Sequence, residues 1–469
     1  MSPPPPDNGN RGCIFMVKSN NDLMIKNFLR GVSLKPVKVG VCGLGVVGSG
    51  TVNVLQRNAE QLKSRTGRSI QLVQIAARRP NPACDTADIS VTSDVFDVAK
   101  NPEVDILIEL IGGCDVALDL VNTAIENGKH VVTANKALIA EHGNEIFERA
   151  RKKGVIVAYE ASVAGAIPVV KALREGLVGN RINWLAGIIN GTGNFILTKM
   201  KECDSPFAEV LEEAQQLGYA EADPTFDVEG IDAAHKLTIL AANAFGTKLM
   251  FDETYTEGIS RITPDDIRYA EELGYCIKHL GIAHQTNQGV ELRVHPTLIP
   301  QTHLLARVDG VMNSVLINGD AAGQTMYYGP GAGSEPTASA VVADIADIAR
   351  LLDAPDVLSG TSVPPLPYDA GQDDVITLSI EDIVAASYVR IRAKDHPGVL
   401  MKVTEVIGRH GINIDALLQK ETRENDGMAD IVLLTDKIRE GVLIKALQVI
   451  AELDDVTGPV THIRVEHLG

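Results

Sequence analysis

The chain has 469 residues, of which 45% are hydrophobic, so it can form about three domains with substantial cores. It carries 43 Lys and Arg residues against 61 Asp and Glu residues, which gives a formal net charge of −18. An acidic surface repels nucleic-acid phosphates and anionic lipids. Composition therefore excludes a disordered chain and predicts that neither nucleic acid nor a membrane is a partner.

The cysteines, the apolar segments and the N-terminus also indicate where in the cell the protein is located. Six cysteines are spread along the sequence without a CxxC pair, which favours reduced thiols over a disulfide framework or a zinc site. No apolar run approaches the ~18 residues of a membrane span. The N-terminus lacks the charged and apolar regions of a signal peptide. We therefore expect a cytoplasmic protein, and we interpret residues 1–35, which begin with a proline-rich stretch, as an N-terminal tail.

The first organised region begins at Val37, where short β-branched runs alternate with helical segments. This pattern predicts a parallel sheet with crossover helices. The first strand leads into a glycine-rich turn and a helix, and the turn consists of Gly43, Leu44, Gly45, Val46, Val47 and Gly48. In such a turn the first glycine permits the bend, the second lets the backbone approach a pyrophosphate, and the third allows close helix packing. The turn predicts a dinucleotide site, with a purely structural glycine turn as the alternative.

Two further features refine the nucleotide site. The second strand is expected to end near Ala77, where NAD-specific enzymes commonly carry an acid for the ribose 2′-hydroxyl. This chain has Arg78 and Arg79 instead, and guanidinium groups favour a 2′-phosphate, hence NADP over NAD. Exposed arginines that begin a loop are the alternative. The strand at 130–134 brings Lys136 to the carboxyl edge of the sheet, where ligands bind in open α/β folds.

The most informative stretch lies in the middle of the chain. A loop punctuated by Gly and Pro carries Gly218, Glu221 and Asp227 and leads into a predicted helix. Asp232 and Lys236 are four residues apart on that helix and therefore share one face. Taken alone, such a pair is most often a surface salt bridge worth a few tenths of a kcal/mol.

The order of this stretch closely resembles the signature of homoserine dehydrogenases. In that family an Ala, a Gly-aromatic-small step, an Asp-Pro turn and then Asp, Gly, Asp and Lys recur at these spacings. The resemblance extends from about Val37 to Leu352, through Glu109–Gly113, Thr133–Ala137, Tyr159–Pro168, Asn190–Leu197 and Tyr328–Gly333. It implies a monofunctional NAD(P)-dependent enzyme that interconverts L-homoserine and L-aspartate 4-semialdehyde.

Roles for individual residues follow from the resemblance. It implies that Lys236 is the general acid or base, that Asp232 orients the substrate or this lysine, and that Lys136 stabilises a developing alkoxide beside the nicotinamide. Lys136 is also the group that could lower the pKa of Lys236. The remaining implied contacts are to the small-molecule substrate, from Gly218, Glu221 and Asp227, and to the cofactor, from Gly331.

The resemblance also implies a bound monovalent cation with a structural role. The matching positions are Glu160, Val163, Gly165 and Ile167. One carboxylate with main-chain carbonyls suits a hard cation, and the implied ion is Na⁺. From the sequence alone, Glu160 is most simply a loop acid.

The C-terminal part of the chain has its own pattern. A segment rich in Pro, Gly and Asp, residues 353–384, is predicted to be a linker, and residues 385–464 are predicted to form a β-α-β-β-α-β unit. Asp395, Gly398 and Asn413 lie at positions that resemble an ACT domain. The resemblance implies an amino-acid effector, L-threonine, and an assembly module without a ligand is the alternative.

The predicted fold class is α/β with three units. The first is a Rossmann-type domain at 36–165 plus about 331–352, the second is an α/β catalytic and dimerisation domain at 166–330, and the third is the ACT unit. The implied assembly is a homodimer or homotetramer. Two other functions stay open at this point: a non-catalytic sensor of nucleotide and amino acid, and a dehydrogenase for a related amino-acid semialdehyde.

Overall fold

The computed structural model describes residues 34–352, 375–421 and 426–469. These residues form a mixed α/β fold with one parallel sheet of six strands and one larger mixed sheet. Most of the predicted N-terminal tail and most of the predicted linker lie outside the described residues. No helix in the described part of the chain combines the length and apolar character that a membrane crossing requires.

The first sheet is parallel and has the strand order β3-β2-β1-β4-β5-β6. Its strands are β1 (Val37–Cys42), β2 (Ile70–Ala76), β3 (Ser90–Thr92), β4 (Ile106–Glu109), β5 (His130–Thr133) and β6 (Val157–Ala158). The connecting helices are α1 (Val46–Arg57), α2 (Ala59–Thr66), α3 (Val95–Lys100), α4 (Asp115–Glu126) and α5 (Lys136–Lys153). The apolar strands are buried on both faces by two hydrophobic clusters. The strand order reverses between β1 and β4, which is the place where such sheets bind nucleotides.

The middle region supplies one long buried helix and five strands of the larger sheet. Its helices are α6 (Val169–Lys171, continued by a π-helical turn at Ala172–Gly176), α7 (Gly191–Cys203), α8 (Phe207–Gln216), α9 (Thr225–Val228), α10 (Ile231–Phe245) and α11 (Pro264–Glu272). Its strands are β7 (Ile182–Ile188), β8 (Tyr255–Thr256), β9 (Tyr275–Gln285), β10 (Val290–Pro300), β11 (Met312–Gly319) and β12 (Gly323–Pro330), of which β8 only flanks the sheet beside β10. The helix α10 is buried along most of its length, which fixes the side chains that it carries.

The helix α12 (Ser334–Leu351) returns from the middle region to the first sheet. Its apolar face, including Val341 and Ile345, belongs to the same hydrophobic cluster as Val39 of β1. The N-cap is Gly333, and the Ser334 hydroxyl donates a hydrogen bond to the carbonyl of Val46 at 2.7 Å, which attaches α12 to α1.

The C-terminal unit has the predicted β-α-β-β-α-β order, with one additional strand of two residues before the second helix. It consists of β13 (Val384–Lys394), α13 (Val399–Arg409), β14 (Ile414–Glu421), β15 (Met428–Thr435), β16 (Ile438–Arg439), α14 (Glu440–Ala451) and β17 (Thr461–Val465). Its strands do not form a separate sheet. The last strand pairs in parallel with β10 at Thr297–Arg464 and Leu298–Val465, so the sheet of the middle region continues into the C-terminal unit.

Buried polar contacts reinforce this junction. The Arg390 guanidinium of β13 donates two hydrogen bonds to the fully buried Asp266 carboxylate of α11, at 2.6 and 3.1 Å. The Tyr388 hydroxyl donates to the same carboxylate at 3.1 Å. Because a buried ion pair stays favourable only while both partners are present, these contacts fix the C-terminal unit against the middle region.

Candidate functional site

The glycine-rich turn between β1 and α1 has the geometry of a phosphate cradle. Gly43 has a φ of +101°, and a Cβ there would lie 2.4 Å from the carbonyl oxygen of Leu110. A Cβ at Gly48 would lie 2.0 Å from the carbonyl oxygen of Gly43, whereas the space beside Gly45 is open. Gly45 is the N-cap of α1, and it has no side chain that could accept hydrogen bonds from the first amides of this helix. These amides are therefore available to a ligand in the open space. Leu44, Val46 and Val47 complete the turn.

Arg78 lies two residues after the end of β2. Ala76 at that end pairs with Cys42, the residue before the glycine turn, so Arg78 lies beside the turn. Its side chain is exposed, and it makes no hydrogen bond or ion pair within the described ranges. The guanidinium is therefore available for an anionic ligand without breaking an existing contact.

A set of hydrogen bonds fixes the carboxyl ends of β4 and β5. The buried carboxylate of Glu109, at the end of β4, accepts hydrogen bonds from the Ile111 amide at 2.9 Å and the Thr133 hydroxyl at 2.5 Å. Asn135 donates to the Gly113 carbonyl at 2.6 Å, and it is also the N-cap of α5. Lys136 is the first residue of that helix, so these contacts fix where its side chain begins.

The two predicted lysines meet at one carboxylate. The Asp232 Oδ1 atom lies 2.7 Å from the Nζ atom of Lys136, and the Oδ2 atom lies 2.7 Å from the Nζ atom of Lys236. Lys236 also donates to the carbonyl of Ile189 at 2.7 Å. Asp232 and Lys236 are buried on α10, whereas the Lys136 side chain is 34% exposed. The predicted pair on one helix face is therefore part of a buried three-residue cluster.

The charges of this cluster shift the pKa values of its members. Burial alone would raise the pKa of Asp232, but the two lysines outweigh burial and hold that pKa well below its usual value. Burial lowers the pKa of Lys236, Asp232 opposes this effect, and the positive charge of Lys136 adds to the lowering, so the net direction is downward. A buried lysine with a lowered pKa can exchange a proton near neutral pH more readily than an ordinary lysine.

Asn190 connects the cluster to a second acid. Its amide donates to Asp227 Oδ1 at 2.7 Å and to Asp232 Oδ2 at 2.8 Å. Burial and the neighbouring Asp232 raise the pKa of Asp227. Asn190 was not predicted to be a site residue from the sequence. The available signal was its position at the start of the Asn190–Leu197 motif, directly before α7.

The other predicted substrate residues lie on the loop between α8 and α9. Gly218 has a φ of +77° with open space where a side chain would be, and Glu221 is exposed. The Glu221 carboxylate accepts no hydrogen bond within the described ranges, so this group is available to a ligand. The loop is attached to the site because the Thr192 hydroxyl donates to the Tyr219 carbonyl at 2.8 Å.

The predicted cation loop follows β6. The Glu160 carboxylate is buried and accepts hydrogen bonds from the amides of Val170 at 3.0 Å and Lys171 at 2.8 Å. Burial, and then the neighbouring Asp344, raise the pKa of Glu160 to about 8. Two buried acids lie side by side here, and Lys171 pairs mainly with Asp347. A further positive charge would therefore stabilise this site, and the donor set fits a hard cation.

The remaining predicted cation and cofactor positions form one junction. Gly165 has a φ of +54°, and a Cβ there would lie 2.6 Å from the carbonyl oxygen of Gly331. A Cβ at Gly331 would collide with the Asn313 side chain. The loop that carries Val163, Gly165 and Ile167 is thus in contact with the loop that carries Gly331.

The three predicted effector residues do not come together within one chain. Asp395 and Gly398 lie between β13 and α13, at the end of the sheet where Lys394 pairs with Met428. Asn413 precedes β14 at the opposite end, where Ile414 pairs with Thr435. The two strands of a β-α-β unit are parallel, so the second strand starts at the end of the sheet opposite to the end where the first strand stops, which explains the separation. Gly398 has a φ of +98° and is the N-cap of α13.

Comparisons with known proteins cover nearly all of the chain. The model of the family described as homoserine dehydrogenase matches residues 168–346, that of the homoserine dehydrogenase NAD binding domain matches residues 43–160, and that of the ACT domain matches residues 387–452. The chain is 60% identical to homoserine dehydrogenase of Pseudomonas aeruginosa over 441 residues, which are 93% of this chain and 100% of that protein. It is 51% identical to the Neisseria gonorrhoeae enzyme over 439 residues, 93% and 100% of the two chains.

A solved structure agrees with these matches. The crystal structure of a homoserine dehydrogenase from Thiobacillus denitrificans has a TM-score of 0.87 and 54% sequence identity, and the match covers 93% of this chain and 100% of that chain. The match confirms the predicted fold class, a Rossmann-type domain followed by a catalytic domain and an ACT domain.

Proposed function

Because this chain belongs to the homoserine dehydrogenase family, we propose that the cluster of Lys136, Asp232 and Lys236 is its catalytic centre. The enzyme is an NAD(P)-dependent oxidoreductase that acts on a CH–OH group and interconverts L-homoserine and L-aspartate 4-semialdehyde. The observation that supports this centre is that one buried carboxylate holds both ammonium groups at 2.7 Å.

Proton transfer is the role of Lys236. In homoserine oxidation its neutral amine accepts the proton of the C4 hydroxyl, and in the reverse reaction its ammonium protonates the aldehyde oxygen. The lowered pKa keeps the neutral form within reach of physiological pH. A bound nicotinamide supplies the carbon that accepts or returns the hydride.

The other two members of the cluster stabilise the charge on the substrate and hold the lysines in position. The Lys136 ammonium stabilises the negative charge that develops on the substrate oxygen as its proton leaves. Asp232 fixes both lysines, and the Asn190 amide in turn fixes Asp232. Glu221 binds the substrate ammonium, Gly218 offers a backbone contact, and Asp227 completes the substrate site beside Asn190.

The nucleotide is bound at the turn from Gly43 to Gly48, and NADP is preferred over NAD. The pyrophosphate lies against the open space beside Gly45 and the first amides of α1. The exposed Arg78 guanidinium binds the 2′-phosphate, which NAD lacks. Gly331 contributes a further backbone contact to the cofactor.

A sodium ion has a structural role at the loop after β6. Its ligands are the Glu160 carboxylate and the main-chain carbonyls of Val163, Gly165 and Ile167. The support for this ion is electrostatic, because Glu160 and Asp344 are buried side by side with raised pKa values of about 8 and about 6. An added cation favours the ionised carboxylate.

The ACT domain indicates regulation by an amino acid, and the proposed effector is L-threonine. Its carboxylate is received by the amides at the start of α13, where Gly398 is the N-cap, and Asp395 faces its ammonium. Asn413 lies at the other end of the same sheet, so it can join this site only from a second ACT domain. The proposed assembly, a cytoplasmic homodimer or homotetramer, is tested by light scattering with and without threonine.

The experiment that tests the catalytic centre measures initial rates of homoserine oxidation by nucleotide absorbance. NAD and NADP are compared, with and without L-threonine, for the parent enzyme and for Lys236→Ala. We expect the variant to lose about 10²–10⁴-fold in kcat while it still binds NADPH. Lys152→Ala, on the exposed face of α5, is the matched control and should keep full activity. A Lys236→Ala enzyme with the parent kcat would overturn the assignment.

A further inference from the structure

A second group of metal-ligating side chains lies where α4 and α5 approach each other, apart from the residues given roles above. Cys114 is the N-cap of α4, and Glu141 and His142 lie in the second turn of α5. The Cys114 Sγ atom is 3.9 Å from Glu141 Oε2. One ligand atom from each of the three residues lies within 4.8 Å of the other two.

These distances and donors suit a small divalent transition-metal ion. A tetrahedral zinc ion with bonds of about 2.0–2.3 Å holds its ligand atoms roughly 3.3–3.8 Å apart, so small side-chain rotations would complete the site. Thiolate, carboxylate and imidazole together carry two negative charges, which match the charge of the ion. A thiolate ligand selects zinc-class ions over Mg²⁺ and Ca²⁺, which prefer oxygen ligands.

His235 provides an independent observation that points to the same place. Its side chain is only 3% exposed, and neither ring nitrogen has a hydrogen-bond partner of good geometry among the residues that the structure describes. The Nε2 atom faces Glu141 Oε1 at 3.2 Å, while the ring packs against Phe251 with centroids 4.2 Å apart. Protein metal sites use such a buried second group to orient a ligating side chain.

We propose that Cys114, Glu141 and His142 form a binding site for one zinc-class divalent ion, and that occupation of this site slows the dehydrogenase. The effect on rate rests on the proposed function, because α5 begins at Lys136 and His235 directly precedes Lys236. An ion here holds one Glu141 carboxylate oxygen while His235 contacts the other, and it adds positive charge beside the lysine cluster. It also links the start of α4 to α5, so the position of Lys136 changes with occupation.

The test separates binding from activity. Full-length enzyme, stripped with a chelator, is titrated with Co²⁺, and a thiolate-to-cobalt absorption band reports ligation by cysteine. Competition with Zn²⁺ then gives the zinc affinity. We expect one ion per chain and a loss of affinity of at least about 100-fold in both Cys114→Ser and His142→Ala, since even outer-shell changes cost 10–100-fold. Cys203→Ser is the matched control, because Cys203 is exposed and lies elsewhere, at the end of α7.

Circular dichroism and NADPH binding confirm that each variant is folded. Zinc is expected to lower kcat severalfold in the parent and in Cys203→Ser, and to leave the rate of Cys114→Ser unchanged. Cobalt or zinc binding that persists in Cys114→Ser and His142→Ala would overturn the site. Site-specific binding without any change in rate would overturn the proposed inhibition. Loss of activity in a metal-free Lys236→Ala enzyme concerns the catalytic centre alone and does not affect the binding result.

Discussion

Replacement of Arg78 by alanine is expected to weaken NADP binding selectively. Ala76 pairs with Cys42 immediately before the glycine turn, so the Arg78 side chain starts two residues from the end of β2 and beside the predicted phosphate site. Because the guanidinium is exposed and makes no ion pair among the described residues, the parent enzyme breaks no existing contact when it binds a phosphate.

The expected magnitude follows from the exposure of the arginine. A hydrogen bond to a charged group contributes about 1.5–3 kcal/mol, and a solvent-exposed one lies at the low end of this range. A loss of about 1.5 kcal/mol corresponds to roughly tenfold in affinity. The KM for NADP should therefore rise about tenfold in Arg78→Ala, while the KM for NAD changes by less than about twofold.

Initial rates with varied NADP and varied NAD give both constants. Arg79→Ala is the matched control, because it removes the same charge one residue further along and so measures general electrostatic attraction. We expect its effect on NADP to be about twofold. Equal losses for NAD and NADP in Arg78→Ala, or an equal loss of NADP affinity in both variants, would refute the reasoning.

Three further predictions concern the junction, the cation loop and the catalytic cluster. Arg390→Met leaves a buried acid without its partner, which should cost about 3–5 kcal/mol locally, so hydrogen exchange should show a large loss of protection in β13. The control Arg392→Met should cause a much smaller loss of protection, because its partly exposed ion pair contributes under ~1 kcal/mol. Glu160 has a pKa raised from 4.5 to about 8, so between those values the folded chain holds a proton that the unfolded chain has lost, and stability falls as pH rises. Replacing choline chloride by NaCl at equal ionic strength should remove this fall in thermal melts, and Glu160→Gln should abolish the sodium effect and the part of the fall that lies above about pH 6, the raised pKa of Asp344. Lys136→Met removes a like charge beside Lys236 and raises its pKa, so the acidic limb of the pH-rate profile for homoserine oxidation should move to higher pH, and an unmoved limb would contradict the electrostatic role.

The sequence predicted those features of the site that depend on local order. The turn bends at Gly43 and is closely packed at Gly48, and both positions require glycine, so the sequence shows them as glycines at a fixed spacing. The pairing of Asp232 with Lys236 follows from the helix period alone. These features were predictable because a few neighbouring residues determine them.

Other features depend on contacts between distant segments. Nothing near Lys136 in the sequence indicates that its ammonium meets Asp232, which lies 96 positions later, because only the packing of α5 against α10 brings them together. Asn413 was grouped with Asp395 because both motifs resemble one ACT domain, yet the strand directions separate them. The pairing of β10 with β17 involves two residues of each strand, and backbone hydrogen bonds of that kind leave no side-chain pattern to read.

That short strand pairing suggests how the ACT domain and the catalytic helix are coupled. Arg464 of β17 donates to the Glu257 carboxylate at 2.7 Å, and the Glu257 carbonyl accepts a hydrogen bond from His279 Nε2 at 2.9 Å. The His279 ring lies against Gly230, the N-cap of α10, where a Cβ would be 3.0 Å from the ring. These direct contacts connect β17 to the first turn of the helix that carries the proposed catalytic lysine, which is a physical route by which a shift of β17 can reach it.

The substitution Glu257→Gln tests this route and leaves the other contacts of Arg464 in place. Arg464 keeps its buried pair with Glu440, so the ACT domain stays folded, but the link from Arg464 to the catalytic domain loses its charge. We expect the uninhibited rate to stay within about twofold, because the Glu257 carboxylate contacts Arg464 and Tyr255 and not the lysine cluster, while the threonine concentration for half inhibition rises about five- to tenfold, as expected for coupling of 1–1.4 kcal/mol. Unchanged threonine inhibition in a folded variant would contradict this route, and the buried contacts of Asp266 with Arg390 and Tyr388, and of Tyr269 with Asp430, would be the next to test.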